Sequence, residues 1–173
     1  MKKEIWSIFI RYIILVLVAI PNLYIFYLIF TPLTIYPVFF LLNLFFEASL
    51  NGSTIFFNQI SIQIIKACVA GSAYYLLLIL NLSTPKIKPT KRIKMILLAF
   101  ASLLILNILR IFLLSIFLVS NFSLFNIVHK IFWYLVSIIF VVAIWFAQAR
   151  LFKIKEIPFY SDLKFLYNLK NAD

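Results

Sequence analysis

The chain has 173 residues, of which 65% are hydrophobic and 12% are charged, with 20 phenylalanines and a formal net charge of +11. So little polar surface excludes a water-soluble fold of this length, and the apolar residues come in long blocks rather than in alternation. We therefore expect an all-α polytopic membrane protein. It should form one domain over residues 1–173, because the spans leave no room for a separate soluble domain.

Positive charge is concentrated in two short segments, the loop 84–94 and the C-terminal tail that begins at Arg150. This is the positive-inside pattern, and it predicts that both segments are cytoplasmic and rest against anionic lipid headgroups. A nucleic-acid interface is not expected, because the solvated segments are too short to build a reader of bases. The basic residues are Lys86, Lys88, Lys91, Arg92 and Lys94 in the loop, and Arg150, Lys153, Lys155, Lys164 and Lys170 in the tail.

The first apolar run extends from Ile5 to Phe30. It is too long for a signal peptide, and no small-x-small cleavage site follows it, so we expect a retained span. Pro21 predicts a kink or a local break within this span. Residues 31–37 contain two prolines and predict an uncharged turn before the next span.

A second apolar run follows from Val38 to about Leu50 and carries Asn43 and Glu47. Their i, i+4 spacing predicts that the two side chains share one helix face. A carboxylate inside lipid is costly and is usually paired or functional. Because Glu47 lies near the end of the run, the alternative that it simply reaches the headgroups is slightly favoured.

Residues 51–66 form a polar insert between the early spans, which we place at the outer face. Alternating isoleucines with Ser61 and Gln63 between them are typical of a β-strand. Asn51, Gly52 and Ser53 predict a turn. The insert is therefore expected to be a short hairpin or an interfacial segment.

Three further spans are predicted at about Lys66–Leu82, Met95–Phe117 and Ile127–Ala149, giving about five transmembrane helices. With the 84–94 loop in the cytoplasm, the start of the third span, the end of the fourth and the start of the fifth lie at the outer side. Five spans also place the N-terminus outside, although the first segment is itself basic. We expect the larger basic clusters, in the loop and the tail, to determine the orientation of the chain.

Cys68 is the only cysteine, so it forms no disulfide within the chain. It lies among small residues in a sequence dominated by Ile, Leu and Phe, and Ala67 with Gly71 has the spacing that lets membrane helices approach closely. A thiol at a helix start also lies near unpaired N–H groups, which favour the thiolate. The alternative is that Cys68 acts as a small core hydrophobe.

Two further polar residues are expected at the same outer side. Arg110 is the one basic residue deep in an apolar run, about 9 Å from the outer end of its span at about 1.5 Å per residue, and Asn107 precedes it by one turn. An arginine there costs about 2–3 kcal/mol, so it either reaches the headgroups or has a partner. His129 is the only histidine and begins the fifth span, where the alternative role is that of an interfacial residue.

Together, Cys68, Arg110 and His129 predict thiol acyl transfer. A thiolate attacks a peptide carbonyl, a histidine moves the protons, and a fixed cation stabilises the oxyanion in a water-poor site. Asn107 is the supporting residue that orients the guanidinium. No aspartate is available in the outer half for a charge triad. One histidine and one cysteine do not make a metal site, so no metal or cofactor is expected.

These residues resemble the exosortase/archaeosortase family of membrane cysteine transpeptidases. The resemblance covers about residues 30–165 and fits the family's ordered Cys, Asn-x-x-Arg-[Ile/Leu] and His pattern, and two flanking segments are similar to the small archaeal members of the archaeosortase E type. The Cys-Val-Ala-Gly sequence departs from the Cys-Ser-Gly of many members and leaves substrate preference open. The matching segments are Ala67-Cys68-Val69-Ala70-Gly71-Ser72-Ala73-Tyr74-Tyr75, Asn107-Ile108-Leu109-Arg110-Ile111, His129, Thr31-Pro32-Leu33-Thr34 and Ile157-Pro158-Phe159-Tyr160-Ser161-Asp162.

The resemblance implies a sorting enzyme in the plasma membrane of an archaeon, with its active site toward the extracellular face. Its substrates would be secreted proteins that end in a short motif, a transmembrane helix and a basic tail. The enzyme would cleave near the motif and transfer the new C-terminus to an acceptor, with a lipid expected. Two alternatives stay open: a non-enzymatic small membrane subunit, and a transporter-like protein that binds an anion through Arg110.

Overall fold

The computed structural model describes residues 2–120 and 125–170. The protein is a helical bundle with a small antiparallel sheet inserted between the second and third helices, so the mainly helical prediction is confirmed. The helices are α1 (Lys2–Ala19), α2 (Tyr24–Phe45), α3 (Lys66–Val69), α4 (Gly71–Leu82), α5 (Pro89–Val119), α6 (Phe125–Ile131), α7 (Ser137–Leu151) and α8 (Tyr160–Lys170). The strands are β1 (Ala48–Asn51), β2 (Thr54–Phe57) and β3 (Ile60–Gln63).

The break predicted at Pro21 is confirmed. α1 ends at Ala19 and α2 begins at Tyr24, and between them Asn22 and Leu23 have φ values of 49° and 59°. A right-handed helix requires negative φ, so these two residues interrupt its backbone hydrogen bonds.

The turn predicted over residues 31–37 is wrong, because α2 continues through Pro32 and Pro37. A proline inside a helix costs about 3 kcal/mol, but a turn at this position would leave several backbone groups unpaired in an apolar environment. Burial of Val38 and Leu42, both fully buried, also holds this part of the chain against the bundle. The two predicted early spans are therefore not separated where the prolines lie.

α1 and α2 run in the same direction, and both are antiparallel to α4. In α1, Arg11 donates a hydrogen bond to the carbonyl of Leu82 at the end of α4. In α2, the ring of Tyr27 lies against Gly71 at the start of α4, where an added Cβ would be only 2.7 Å from Tyr27 Cζ. As the chain proceeds from α1 into α2, its contacts thus move back along α4 from its C-terminus to its N-terminus.

The end of α2 overturns the prediction that Asn43 and Glu47 share a helix face. The helix ends at Phe45, and the Asn43 side-chain oxygen accepts a hydrogen bond of 3.2 Å from the backbone N–H of Ala48. Glu47 lies beyond the helix and is exposed. It is therefore not a buried carboxylate in an apolar span.

The insert forms a three-stranded antiparallel sheet in the order β1-β2-β3, which confirms the predicted hairpin and extends it by a strand. The β2–β3 turn has positive φ at both central residues, Asn58 and Gln59, as a two-residue hairpin turn of type I′ requires. β2 alternates between faces, with Ile55 and Phe57 buried and Phe56 exposed. This alternation places one face of the sheet on the end of the bundle.

The third predicted helix begins at Lys66 as expected, but it is broken at Ala70, which has a φ of 61°. Cys68 therefore lies in the four-residue helix α3 and not at the start of a long helix. The N–H of Cys68 is not unpaired, because it donates a hydrogen bond of 2.8 Å to the carbonyl of Ile65. Ala70 instead caps α4, accepting a hydrogen bond from the N–H of Ala73.

α5 begins six residues before the predicted start, with Pro89 in the first turn, where a missing N–H costs nothing. The last helical column is continuous from α6 to α7 through a π-helical segment, Phe132–Val136.

Inside the bundle, Tyr74 is fully buried and its ring stacks on Phe30 with a centroid distance of 3.7 Å. Tyr74 also packs edge-on against Phe100 of α5, so that α2, α4 and α5 share one core.

The two ends of the bundle differ in chemistry. At one end, which we call the basic end, Arg11 of α1 forms a buried ion pair of 2.8 Å with Asp162 of α8. Arg92 of α5 donates to the carbonyls of Asn81, Leu82 and Thr84 there. The opposite end carries the β-sheet, and we call it the sheet end.

Two helices, Tyr24–Phe45 and Pro89–Val119, are long and apolar enough to cross a membrane. The outer surface of the bundle is also apolar, with Phe40, Leu44 and Phe146 more than half exposed. Large contiguous apolar surfaces of this kind are rare on soluble monomers. These features indicate association with a membrane.

Candidate active site

The backbone carbonyl of Cys68 is the point at which the predicted residues meet. Asn107 donates a hydrogen bond of 2.8 Å to it from Nδ2, and Arg110 donates a longer one of 3.4 Å from a terminal guanidinium nitrogen. Both donors lie on one face of α5, one turn apart, as their spacing predicts. The structure thus brings together three of the four predicted site residues.

Arg110 is held deep in the protein, with 8% of its surface exposed. Its second terminal nitrogen donates a hydrogen bond of 2.9 Å to the hydroxyl of Ser137, and its Nε has no hydrogen-bond partner among the described residues. The Cys68 side chain lies within electrostatic range of the guanidinium. A guanidinium has five N–H donors, so Arg110 retains donors for a further acceptor.

Ser137 is positioned by the π-helical segment that precedes it. Its hydroxyl donates a hydrogen bond of 3.2 Å to the carbonyl of Phe132, five residues earlier, and accepts the bond from Arg110. A π-helical turn contains one residue more than an α-helical turn, so it changes which side chains face the neighbouring helix. The widened turn therefore aims Ser137 at α5.

A cavity of about 200 Å³ adjoins these residues. Its wall is built mostly from the small residues around Cys68, and both of its charged lining residues, Lys66 and Arg110, are cations. Lys66 Nζ also lies 5.5 Å from the centroid of the Tyr27 ring. The lining residues are Tyr27, Lys66, Ala67, Ala70, Gly71, Ser72, Ala73, Arg110 and Ser137.

Cys68 itself is half-buried, and its thiol is free. Its side chain packs against the hydrophobic core, while its neighbour Ala67 and the residues from Ala70 onward line the cavity. The thiol is therefore next to the cavity wall but not part of it. An attack on a group in the cavity would require rotation about the Cα–Cβ bond of Cys68.

His129 lies on α6, in the same helical column as Ser137 and eight residues before it. Its ring stacks on Phe125 with a centroid distance of 5.6 Å, and the side chain is half-buried. The hydrogen bonds that join Cys68, Asn107, Arg110 and Ser137 do not include it. Part of the predicted outer loop before α6, residues 121–124, lies outside the described residues.

The sequence did not predict that Ser137 and Tyr27 belong to this site. Ser137 is a small polar residue inside an otherwise apolar run, which was the available signal for an interhelical hydrogen bond. Tyr27 carried no such signal, because its contact with Gly71 depends on how α2 packs on α4. In the described part of the chain, no three His, Cys, Asp or Glu side chains come together as metal ligands.

Comparison with known proteins adds no relative. No protein-family model, no curated protein and no solved structure matches this chain.

Proposed function

We propose that this protein is a membrane-embedded cysteine transpeptidase of the exosortase/archaeosortase type. It would cleave the C-terminal sorting signal of secreted proteins and transfer the new C-terminus to an acceptor through a thioester on Cys68. The observation that carries this proposal is the pairing of Asn107 and Arg110 on the carbonyl of Cys68. It joins the only cysteine of the chain to a buried cation beside a cavity.

The reaction would proceed in two steps. The Cys68 sulfur attacks the scissile carbonyl, the S–C bond forms and the C–N bond breaks, and the thiol proton passes through His129 to the leaving amine. A hydroxyl of the acceptor then attacks the thioester, the S–C bond breaks, and the hydroxyl proton returns to the thiolate. The Arg110 guanidinium stabilises the oxyanion that forms in each step.

The cavity is suited to a peptide carbonyl because it offers cations and no acidic lining residue among those described. A buried guanidinium that already has two fixed hydrogen bonds needs little reorganisation when charge develops next to it. The small residues from Ala67 to Ala73 allow close approach of a second backbone. They therefore provide room for the transmembrane helix of a substrate.

We further propose four crossings of the plasma membrane rather than the five expected from the sequence. α1 and α2, which run in the same direction, together make one crossing, and the further crossings are α3 with α4, then α5, and then α6 with α7. The start of α1, the basic loop and α8 then lie at the basic end, in the cytoplasm, which removes the conflict with the basic first segment. The sheet end is extracellular.

The depth of the site fits this arrangement. Arg92 and Arg110 are about 27 Å apart along α5 at about 1.5 Å per residue, close to the thickness of a hydrocarbon core. If Arg92 marks the cytoplasmic boundary, Arg110 lies near the extracellular one. This is where a sorting signal would present the peptide bond that precedes its transmembrane helix.

Anion binding without catalysis is the second candidate function. The cavity has two cationic lining residues, Lys66 and Arg110, and the Cys68 thiol packs on the core rather than in the cavity. Both observations also fit a site that holds an anion. The third possibility, a non-enzymatic membrane subunit, predicts that neither cation nor thiol matters for substrate processing.

Trapping of the thioester distinguishes these functions. The protein is expressed in its source cells with reporters that carry the C-terminal segments of secreted proteins ending in a transmembrane helix and a basic tail. Mass spectrometry should find a reporter fragment joined to Cys68 through a bond that hydroxylamine breaks. The fragment should be missing from Cys68→Ala, and Cys68→Ser should be nearly inactive, because a hydroxyl is scarcely ionised at neutral pH.

The Cys68 variants also provide the folding control. Neither substitution adds volume, so membrane insertion and expression should match those of the unmodified chain. Processing by Cys68→Ala at the unmodified rate would exclude the transpeptidase, and the subunit or anion-binding function would take its place.

A further inference from the structure

A second, larger cavity of about 640 Å³ lies at the basic end, between α1, the segment 83–88 and α8. We call it the basic-end cavity. It is far from Cys68, and its size is typical of sites for small ligands. Its basic lining residues are Arg11, Lys86, Arg92, Lys155 and Lys164, and its acidic ones are Glu4, Glu156 and Asp162.

The charge of this cavity is not balanced. Asp162 is engaged by Arg11 at 2.8 Å, and Glu156 by Lys86 at 2.9 Å. Lys155 and Lys164 are exposed and form no ion pair within residues 2–120 and 125–170. Five cations against three anions leave the wall with a net charge of +2, which favours an anionic occupant.

The helix that closes the cavity is amphipathic. Asp162 faces the bundle and is buried, whereas Leu163 and Tyr167, which do not line the cavity, are each more than half exposed. Their i, i+4 spacing puts these two side chains on one outward face. An exposed apolar face flanked by lysines is the pattern of a helix that lies in the membrane interface.

α8 is fixed to the bundle in this position. The Phe159 N–H donates a hydrogen bond of 3.1 Å to the carbonyl of Ser83, and the Phe159 ring packs edge-on against Tyr12 at 5.6 Å. With its apolar face in the acyl region, the cavity on its other side opens at the level of the lipid headgroups. The lysines at its rim then meet the phosphate layer.

We propose that the basic-end cavity binds the phosphate headgroup of an anionic membrane lipid. Lys155 and Lys164 hold the phosphate, and the acyl chains lie along the apolar face of α8. This site goes beyond the proposed function, because it requires that the bundle lies in a membrane but not that Cys68 is catalytic. The basic tail of a substrate is disfavoured as an occupant, since it would meet a wall of like charge.

Lipid titration of the full-length protein in a neutral detergent tests the proposal. Phosphatidylglycerol should raise the melting temperature by about 5 °C at saturating concentration, a shift of the size that ligand linkage allows for a chain of this length. Phosphatidylcholine and inorganic phosphate should each give a much smaller rise. A rise with inorganic phosphate as large as that with phosphatidylglycerol would assign the cavity to free phosphate and overturn the lipid site.

The variant Lys155→Gln/Lys164→Gln should bind phosphatidylglycerol about tenfold more weakly or worse, since each lysine near an anionic surface contributes about 1 kcal/mol. The matched control is Lys94→Gln/Lys153→Gln, which removes the same charge at the same end from residues that do not line the cavity. Native mass spectrometry should show retained phosphatidylglycerol on the control and loss from the cavity variant. Equal affinity for the two variants would overturn the proposal.

Discussion

Asn107 donates a 2.8 Å hydrogen bond from its side-chain amide to the backbone carbonyl of Cys68, 39 residues earlier in the chain. Asn107 is 2% exposed, so this bond lies in the interior and ties α3 to α5. Because Ala70 breaks the helix just after Cys68, the backbone around the thiol relies on this tertiary contact for its position. Asn107 is therefore a positioning residue for the proposed nucleophile.

The first prediction concerns this bond. Asn107→Ala should lower the free energy of unfolding by about 1–2 kcal/mol, because the Cys68 carbonyl loses its shorter hydrogen bond. Thioester formation per folded molecule should fall as well, since the thiol is no longer held in place. The control is Asn81→Ala, which removes a fully buried asparagine at the basic end. A similar loss of thioester in both variants would reduce Asn107 to a structural residue.

The second prediction concerns Arg110. Arg110→Lys should lower the rate of thioester formation by about 100-fold, the usual effect of losing one oxyanion donor, because an ammonium does not reproduce the planar fork. The protein should remain in the membrane. Activity close to that of the unmodified chain would leave Arg110 as a residue that only holds α3, α5 and α7 together through its hydrogen bonds.

The third prediction concerns Ser137, which accepts a hydrogen bond from Arg110. Ser137→Ala should slow thioester formation less than Arg110→Lys does, because the guanidinium keeps its charge and loses only one partner. Ser115→Ala is the matched control, since Ser115 is also buried and bonds only within α5, to Ile111. Combining Ser137→Ala with Arg110→Lys should add little to the loss from Arg110→Lys alone. Full additivity would mean that the two residues act independently.

The fourth prediction concerns orientation. In a Cys68→Ala background, Ser61→Cys at the exposed sheet should react with an impermeant maleimide on intact cells, and Lys88→Cys should react only after permeabilisation. An N-terminal epitope tag should likewise be protected in intact cells, as four crossings require. An exposed tag with a protected Lys88→Cys would restore the five crossings expected from the sequence. Labelling of Lys88→Cys on intact cells would reverse the orientation.

The fifth prediction concerns the buried ion pair between Arg11 and Asp162. Arg11→Leu alone should lower the free energy of unfolding by about 3 kcal/mol or more, since it leaves an uncompensated buried carboxylate. Arg11→Leu/Asp162→Leu should recover a large part of that loss, because no charge then remains unpaired. Thermal unfolding in detergent measures both. A double variant that is as unstable as the sum of the single ones would show no coupling between the two residues.

The sequence by itself determined the features that depend on local composition. The long apolar blocks predicted helices, and the alternating isoleucines before Lys66 predicted a strand. Pro21 predicted a kink or a local break within the first apolar run. Each of these signals depends on residues within a few positions of one another, because helix periodicity, strand alternation and backbone restriction are short-range properties.

Tertiary structure decided what the local pattern left undetermined. Pro32 and Pro37 predicted a turn, yet α2 continues through both, because packing of its apolar face outweighs the cost of proline inside a helix. Ala70 carries no signal of a break, yet it adopts left-handed backbone where α3 meets α4. Glu47 lies beyond the end of α2, outside any helix. In each case the deciding contacts come from a different helix or strand.

The candidate site also combines residues that the sequence predicts with contacts that only the tertiary structure shows. Cys68 could be singled out in the sequence because it is the only cysteine, and Asn107 and Arg110 because a polar pair is costly in an apolar run and therefore indicates a role. Their meeting point at one backbone carbonyl, the hydrogen bond from Arg110 to Ser137 and the cavity beside Tyr27 arise only when α3, α5 and α7 pack together. No spacing along the chain encodes these contacts, because the hydrogen bonds alone join residues 27 to 42 positions apart, whose distance in space is set by helix packing.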